Sequence, residues 1–355
     1  MPAPDDASNG AANHALGSAT DDIVTEVLPG IHQLRLPLEG SPLRHTNGYL
    51  IKADDGWTLV DCGWKLPGAL EALARGVEEA GARLDEIRTL VVTHFHSDHY
   101  GLAGTLVDLT RARMLMHRLD WLHIQNEMVD FDAAVERLDG WLRLNGAPPE
   151  LLDEEQRRAA QMYARYDVQA PDEQVEDGHR IRVGRHELQV IWTPGHTMGH
   201  ICLFDAERRV LLTGDHVLDP ITPNVSLNRE YAGNPLGQYL SSLRKVGELD
   251  ADLVLPAHGE PFNGVSRRVR ELLAHHDERE AEIVEALSHG PRTGFEIAAA
   301  LPWTRRRRTL ADLQLGQQRM ALTETLAHLE ELRETGRARR ARRGDLLYYE
   351  ALAPV

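Results

Sequence analysis

Cysteine is almost absent from this chain: there are two in 355 residues, Cys62 and Cys202, far apart and in no CxxC pair. That excludes a disulfide framework and points to a reducing compartment, with both thiols as small core filler. Long apolar runs are absent too, since none approaches the roughly 20 residues that a membrane-spanning helix needs. The opening stretch "MPAPDDASNGAANHALGSATDD" has neither a basic nor an apolar region, so it does not read as a secretory signal. The expectation is a soluble, cytoplasmic protein with a disordered leader over residues 1–22 and no membrane partner. Positive charge is not in surplus: the net charge of −16 opposes non-specific binding to nucleic acid or anionic lipid. Aromatics make up only 5% of the chain, and no stretch interleaves them with basic residues as a stacking platform for single-stranded nucleic acid would require.

What is present is an ordinary globular composition, 42% hydrophobic, in a chain long enough for two domains or one large one. From Ile23 to Asp61, short apolar segments such as "IHQLRL", "GYLIKA" and "WTLVDCG" alternate with Gly, Asp and Pro, which predicts antiparallel strands. "PGALEALARGVEEAGA" has helical periodicity, and "IRTLVVTHFHSDHYG" reads as a buried strand running into a polar loop. Residues 118–168 are helix-forming throughout and broken at "NGAPP", as expected of a helical insertion. Strand signals return in "HRIRVGRHELQVIWTPGHT", "HICLFDAERRVLLTGDHV" and "ADLVLPAHGE".

Polar chemistry sits where the strands stop. "LVVTHFHSDHYG" places His94 and His96 two apart, so that in an extended stretch they share one side. Asp98 and His99 follow where the chain must turn toward Gly101. Imidazoles and a carboxylate converging from one loop suit zinc, iron or manganese. His196 in "TPGHTMGH", Asp215 in "LTGDHV" and His258 in "LPAHGEP" each close an apolar run beside a small residue. A lone loop histidine carries little information. Three such sites in order at strand ends point to one shared centre, and seven donors to two metal ions.

The ordered set "THFHSDHYG", "TPGHTMGH", "TGDHV" and "PAHGEP", preceded by "LVDCG", resembles the metallo-β-lactamase superfamily over roughly residues 23–265. The resemblance implies an α/β (α+β) fold, a four-layer αββα sandwich with the metals at one edge between the sheets. It implies that His94, His96 and His196 hold a first divalent ion and Asp98, His99 and His258 a second, with Asp215 bridging. Asp61 would orient a ligand histidine, and Asp98 and Asp215 would be the carboxylates of catalysis. Zinc is the expected ion, with iron or manganese as alternatives. The implied activity is hydrolysis of a small-molecule ester, thioester or lactone by a metal-bridging hydroxide. Asp215, and His99 with His258 at the second site, depart from the penicillin-destroying members. His96 stands where the redox branch has glutamate. A branch of mono-iron sulfur dioxygenases keeps the same motifs and stays open as an alternative.

After about residue 275 the character changes. "HDEREAEIVEALSHG", "TGFEIAAAL" and "GQQRMALTETLAHLEELRETG" read as three helices and "RARRARRGDLLYYEAL" as a hairpin, together a C-terminal winged-helix-like domain over 275–355 behind a catalytic domain over 23–270. A sandwich followed by a winged helix resembles the lactamase-β-2-like group, which implies a second activity, cleavage of single-stranded RNA. Residues 283–355 hold 12 Arg and no Lys against 9 acidic residues, about +3, while the remainder carries about −19. "RRRR" at 305–308 and "RARRARR" at 337–343 could meet phosphates. The acidic remainder opposes this, and the favoured reading of the tail is a packing or homodimer module with a small molecule as the substrate. Trp121, Met128, Phe131, Trp141, Met162, Tyr163 and Tyr166 concentrate bulk in the insertion, and Trp121 and Phe131 are candidate walls of a substrate pocket. His200, His216 and Tyr231 lie near the motifs and are candidates for contact with substrate or leaving group.

Overall fold

The computed structural model describes residues 23–41, 43–129, 131–152, 166–184, 186–227, 233–304 and 306–352. The expected leader, Met162, Tyr163 and Tyr231, and the side chains of Met128 and Phe131, lie outside the described residues.

Alternation of apolar residues along short β-branched runs yields two mixed sheets. The first has seven strands in chain order: β1 (Val24–Leu28), β2 (Ile31–Pro37), β3 (His45–Lys52), β4 (Trp57–Val60), β5 (Ile87–Val91), β6 (Arg113–His117) and β7 (Glu173–Val175). β1 to β4 pair antiparallel, and β4 to β7 pair parallel. The second has six strands in the order β13-β12-β11-β10-β9-β8, built from β8 (Arg180–Val183), β9 (His186–Trp192), β10 (Ile201–Asp205), β11 (Val210–Gly214), β12 (Leu253–Pro256) and β13 (Phe262–Asn263). Only β11 and β12 pair parallel there, so both strands deliver their C-terminal ends to the same edge.

The period of two sorts side chains between layers. On β3, Tyr49 and Ile51 enter the cluster between the sheets, while Leu50 faces the outer cluster; on β5, Val91 and Leu90 divide in the same way. Each fully buried Leu, Ile or Val contributes roughly 1.5–3 kcal/mol, so strands buried on both faces hold the sandwich from both sides. Beneath the first sheet, Leu34, Leu59 and Met114 pack on Leu73 and Val77 of α1 (Ala69–Glu79) and Leu106 of α3 (Ala103–Thr110). Between α1 and α3 lies the single turn α2 (Ser97–Tyr100). Beneath the second sheet, Cys202, Leu211 and Val254 pack on Tyr239 and Leu243 of α6 (Pro235–Gly247) and Val269 and Leu272 of α7 (Val265–Ser288). The result is an αββα sandwich. Both cysteines are free and buried, as core filler requires. Among the described residues no helix is long and apolar enough to cross a membrane.

The insertion opens with α4 (Arg118–Val129) and α5 (Phe131–Leu144), and the chain turns at Asn145–Ala147. The tail follows the expected order, α8 (Gly294–Ala300), α9 (Leu315–Glu334) and a hairpin of β14 (Ala338–Arg343) with β15 (Leu346–Ala351). No linker separates it from the sandwich at 270–275, because α7 runs unbroken through that boundary. Its apolar residues, among them Ile297, Leu322, Leu326 and Tyr349, share one buried cluster with Cys202 and Leu211 of the second sheet and with Trp141 and Leu142 of the insertion. Tyr349 donates a hydrogen bond to Asn145 Oδ1 at 3.0 Å, and Arg340 lies over the Trp141 ring. α5 and the tail thus cover the same flank.

Candidate metal centre

The strand ends bring seven donors to one edge of the sandwich. β5 stops at Val91, and Thr93 to His96 form a bent loop that leads into α2, which carries Asp98 and His99. His196 stands in the loop after β9, Asp215 directly after β11 and His258 two residues after β12. Ligand atoms of His94, His96, His196 and Asp215 form one group, and those of Asp98, His99 and His258 another, all atoms of a group lying within 4.8 Å of one another. All seven residues predicted from the motifs therefore converge. Gly214 makes the turn into Asp215 with φ 49°, and a Cβ there would meet His200 Nε2 at 2.7 Å.

Each inward nitrogen is set by what its ring does behind. His99 Nδ1 lies 2.8 Å from Asp61 Oδ2, His196 Nδ1 2.7 Å from the Asn224 carbonyl and His258 Nδ1 3.0 Å from the His45 carbonyl. All three partners only accept, so each Nδ1 carries the proton and each Nε2 faces the centre. Thr93 Oγ1 donates to Asp61 Oδ2 at 2.8 Å and so accepts from His94 Nδ1, 3.1 Å away. His96 presents Nδ1 instead, 3.0 Å from both His94 Nε2 and His196 Nε2. Asp215 spans the groups: Oδ2 is 3.4 Å from His196 Nε2 and 3.6 Å from His99 Nε2, while Oδ1 is 3.4 Å from His258 Nε2. Asp98 Oδ2 lies 3.4 Å from His258 Nε2 and accepts from Thr46 Oγ1 at 3.3 Å.

These donors fit divalent metal. His99 Nε2, His258 Nε2 and Asp215 Oδ1 are buried with no hydrogen-bond partner, an arrangement that costs free energy unless something bound there satisfies all three. Electrostatics divide the two groups. Burial, reinforced by the neighbouring imidazoles, drives His94 well below its ordinary value, and burial with His196 brings His96 to about 3. Burial lowers His196 as well. Burial would also lower His99 and His258, but Asp98 and Asp215 outweigh it and raise both, His258 to about 10. In return, against burial that would raise them, His99 and His258 hold Asp98 and Asp215 well below the usual carboxylate range.

Asp61 lies behind His99, on the side of the ring away from the centre. It sits at φ 59°, a conformation that Asp tolerates better than most residues, and takes Thr93 N on Oδ1 at 2.8 Å. His200 has no exposed surface, with Nδ1 2.8 Å from Thr193 Oγ1 and Nε2 accepting from Asp215 N at 3.1 Å, so both ring nitrogens are committed to shaping the Asp215 turn. His216 is buried against Tyr239. Trp121 packs half-buried on the cluster beneath the first sheet and Trp141 in the one beneath the second, so these two aromatics of the insertion fill layers.

Two contributors escaped the sequence reading. Asp120, fully buried near the start of α4, accepts from Phe95 N at 2.9 Å, Thr197 Oγ1 at 2.8 Å and Gly199 N at 2.6 Å, tying the His94–His96 segment to the His196 loop. Burial pushes its carboxyl up to about 6 despite those donors. A Cβ at Gly199 would lie 2.5 Å from Asp120 N, which leaves that position to glycine. Asn224 is the other, through its carbonyl on His196.

A model of the metallo-β-lactamase superfamily matches residues 41–258, which spans all seven donors and most of the sandwich. The chain belongs to that superfamily, and its fold and donor set are those of a metal-dependent hydrolase. A crystal structure of a metallo-β-lactamase family protein from Thermus thermophilus is similar over 92% of this chain and 100% of that one, at 32% identity and a TM-score of 0.77. The probable metallo-hydrolase YqjP of Bacillus subtilis is 27% identical over 257 residues, 71% of this chain and 79% of its own. The β-lactamase-like protein 2 homolog of Caenorhabditis elegans is 26% identical over 280 residues, 77% of each chain.

Proposed function

We propose that this chain is a binuclear metal-dependent hydrolase of small organic esters, thioesters or lactones. The observation that carries the reading is Asp215, whose one carboxylate reaches both groups of imidazoles, Oδ2 lying 3.4 Å from His196 and 3.6 Å from His99 and Oδ1 3.4 Å from His258. In this reading His94, His96 and His196 hold one ion, Asp98, His99 and His258 the other, and Asp215 is shared. Bound there, two divalent ions supply Lewis acidity and water of lowered pKa. We assign zinc, because imidazole and carboxylate without thiolate suit it; iron and manganese share the preference and are distinguished by metal analysis.

The chain's own contribution is position and access. The side chains of His94 and His99 are fully shielded, whereas Asp98 is 21% and Asp215 12% exposed and His96 and His196 are partly exposed, so the centre opens over the carboxylates and these two imidazoles. Two carboxylates against two dications leave net positive charge facing that opening, suited to an oxyanion developing on a carbonyl carbon.

The tail is read as a winged-helix-like packing module. RNA cleavage, the second reading, would use the arginines at 305–308 and at 337–343, and those at 337–343 are already engaged with carboxylates. Arg339 and Arg343 pair with Glu350, Arg340 with Glu330 and Arg337 with Glu280. A phosphate would have to displace a carboxylate at each. The test is metal analysis of purified protein with a panel of p-nitrophenyl esters, acyl thioesters, lactones and short RNA. About two ions per chain and turnover of an acyl substrate are expected. Asp215→Ala should abolish that turnover and lower the content toward one ion. Full activity in that variant would sink the binuclear reading, one iron with sulfur oxidation would favour the dioxygenase branch, and salt-sensitive RNA cleavage would reverse the order of the two readings.

A further inference from the structure

The His196 loop is held from the far side of the molecule. The carbonyl that fixes His196 Nδ1 belongs to Asn224, in the segment that follows the Asp215 turn, and that segment is tied to the C-terminal helices at three levels. Arg268 of α7, itself buried, donates from Nε to the Leu218 carbonyl at 2.6 Å and from Nη2 to the Ile221 carbonyl at 2.8 Å. Ser226 Oγ donates to Asn224 Oδ1 at 2.6 Å and lies 2.9 Å from Thr323 Oγ1 of α9. Leu227 N donates to the Thr323 carbonyl at 3.0 Å, and Asn224 Nδ2 reaches Glu324 Oε2 at 3.4 Å. Thr323 is 1% exposed. A carbonyl in a segment without helix or strand bonds would otherwise be free to rotate away from the imidazole; here the oxygen and the nitrogen of the Asn224 amide are both held, which restrains its backbone.

We propose that helix α9 is a positioning part of the metal centre: through Thr323 and Glu324 it fixes Asn224, whose carbonyl orients His196 toward the first ion. The inference rests on the reading of His196 as a metal ligand. Partners behind a ligand histidine set its tautomer and direction, and losing one typically weakens metal binding by about 10–100-fold. The tail is then required for full occupancy of the centre even though it contributes no ligand. This also gives a physical reason for the continuous helix α7 and the shared core: a tail on a flexible linker could not hold Asn224 in place.

The experiment uses the full chain and zinc in competition with a chelator, with the visible absorption of the cobalt-substituted protein as a second readout. Asn224→Ala and the double variant Thr323→Val/Glu324→Ala should each weaken one of two ions about 10–100-fold and leave the other within a few-fold. The cobalt spectrum should change at the weakened site only. Thr323→Ser, which keeps the hydroxyl, should bind as wild type. Leu329→Ala, a fully buried change on the same helix, should lower the unfolding midpoint without selective loss of one ion. Wild-type affinity for both ions in Asn224→Ala and in the double variant would overturn the proposal. So would an equal selective loss in Leu329→Ala, which would reduce the effect to packing. Retention of both ions by His196→Ala would be the separate failure of the ligand reading itself.

Discussion

His99 donates its Nδ1 proton to Asp61 across 2.8 Å, and the same carboxylate takes the backbone N–H and hydroxyl of Thr93, the residue beside His94. One buried carboxylate therefore aims one histidine of each metal group. Asp61→Asn keeps the shape and the positive φ but puts an amide where Oδ2 was, or else gives up the bond from Thr93 N. His99 or Thr93 then faces a donor. Zinc affinity at the group of Asp98, His99 and His258 should fall about 10–100-fold while the circular dichroism of the fold is retained. Equilibrium dialysis against a chelator reads this, and unchanged binding of both ions would mean that Asp61 is only a turn residue.

The two metal groups should respond differently to pH. Asp98 and Asp215 raise His99 and His258 over the cost of burial, His258 to about 10, so in metal-free protein at neutral pH both rings hold a proton on the nitrogen that faces the centre. Metal and proton compete for that lone pair. Binding at this group should strengthen as pH rises from 6 to 8, by about tenfold per pH unit for each proton displaced. Burial lowers His94 and His96 far enough that both are neutral across that range, and it lowers His196 in the same direction, so binding there should depend less on pH. Zinc titrations at several pH values, with proton release followed by an indicator dye, distinguish the groups. Equal slopes at both sites would contradict the division.

What the sequence made legible and what it hid differ for a physical reason. His94, His96, Asp98 and His99 crowd one short loop, and His196, Asp215 and His258 each close an apolar run, so local patterning was enough to find the donors. The apolar run that ends β5 likewise announced a buried strand. Asp120 was not legible, because an Asp in the first turn of a helix is common for reasons of the helix dipole, and its partners at Thr197 and Gly199 lie far along the chain. Asn224 acts through its backbone carbonyl, which no side-chain motif records. His200 looked available because it follows the His196 motif, yet the tertiary fold buries it under the Asp215 turn. The expected domain boundary fell inside α7 because the polar, charged run beginning at His275 stood out more than the helix start after Gly264, which has φ 85°. Helical periodicity in the insertion does not separate a substrate wall from layer packing; Trp121 is partly buried on the cluster beneath the first sheet and Trp141 is buried in the one beneath the second.

Asp120 supplies the last prediction. Its two oxygens take three donors from the two loops that carry His94, His96 and His196, and the group is fully buried, so no water stands ready to replace it. Asp120→Ala would strand Phe95 N, Gly199 N and the Thr197 hydroxyl in the interior and open a small void. Unsatisfied buried donors cost about 1–3 kcal/mol each before relaxation, so a net loss of about 2–4 kcal/mol of stability is expected. The effect should not stop at stability. With the tie gone, the segment carrying His94 and His96 can shift against the loop carrying His196, and the ion these three share should bind more weakly while the ion at Asp98, His99 and His258 is retained. Asp120→Asn keeps one accepting oxygen and should fall between wild type and Asp120→Ala on both measures. Chemical denaturation of the metal-free protein measures the first effect and chelator competition the second. If Asp120→Ala unfolds within about 0.5 kcal/mol of wild type, the ordinary range of a surface substitution, and binds both ions as before, the two loops are held by something other than this carboxylate.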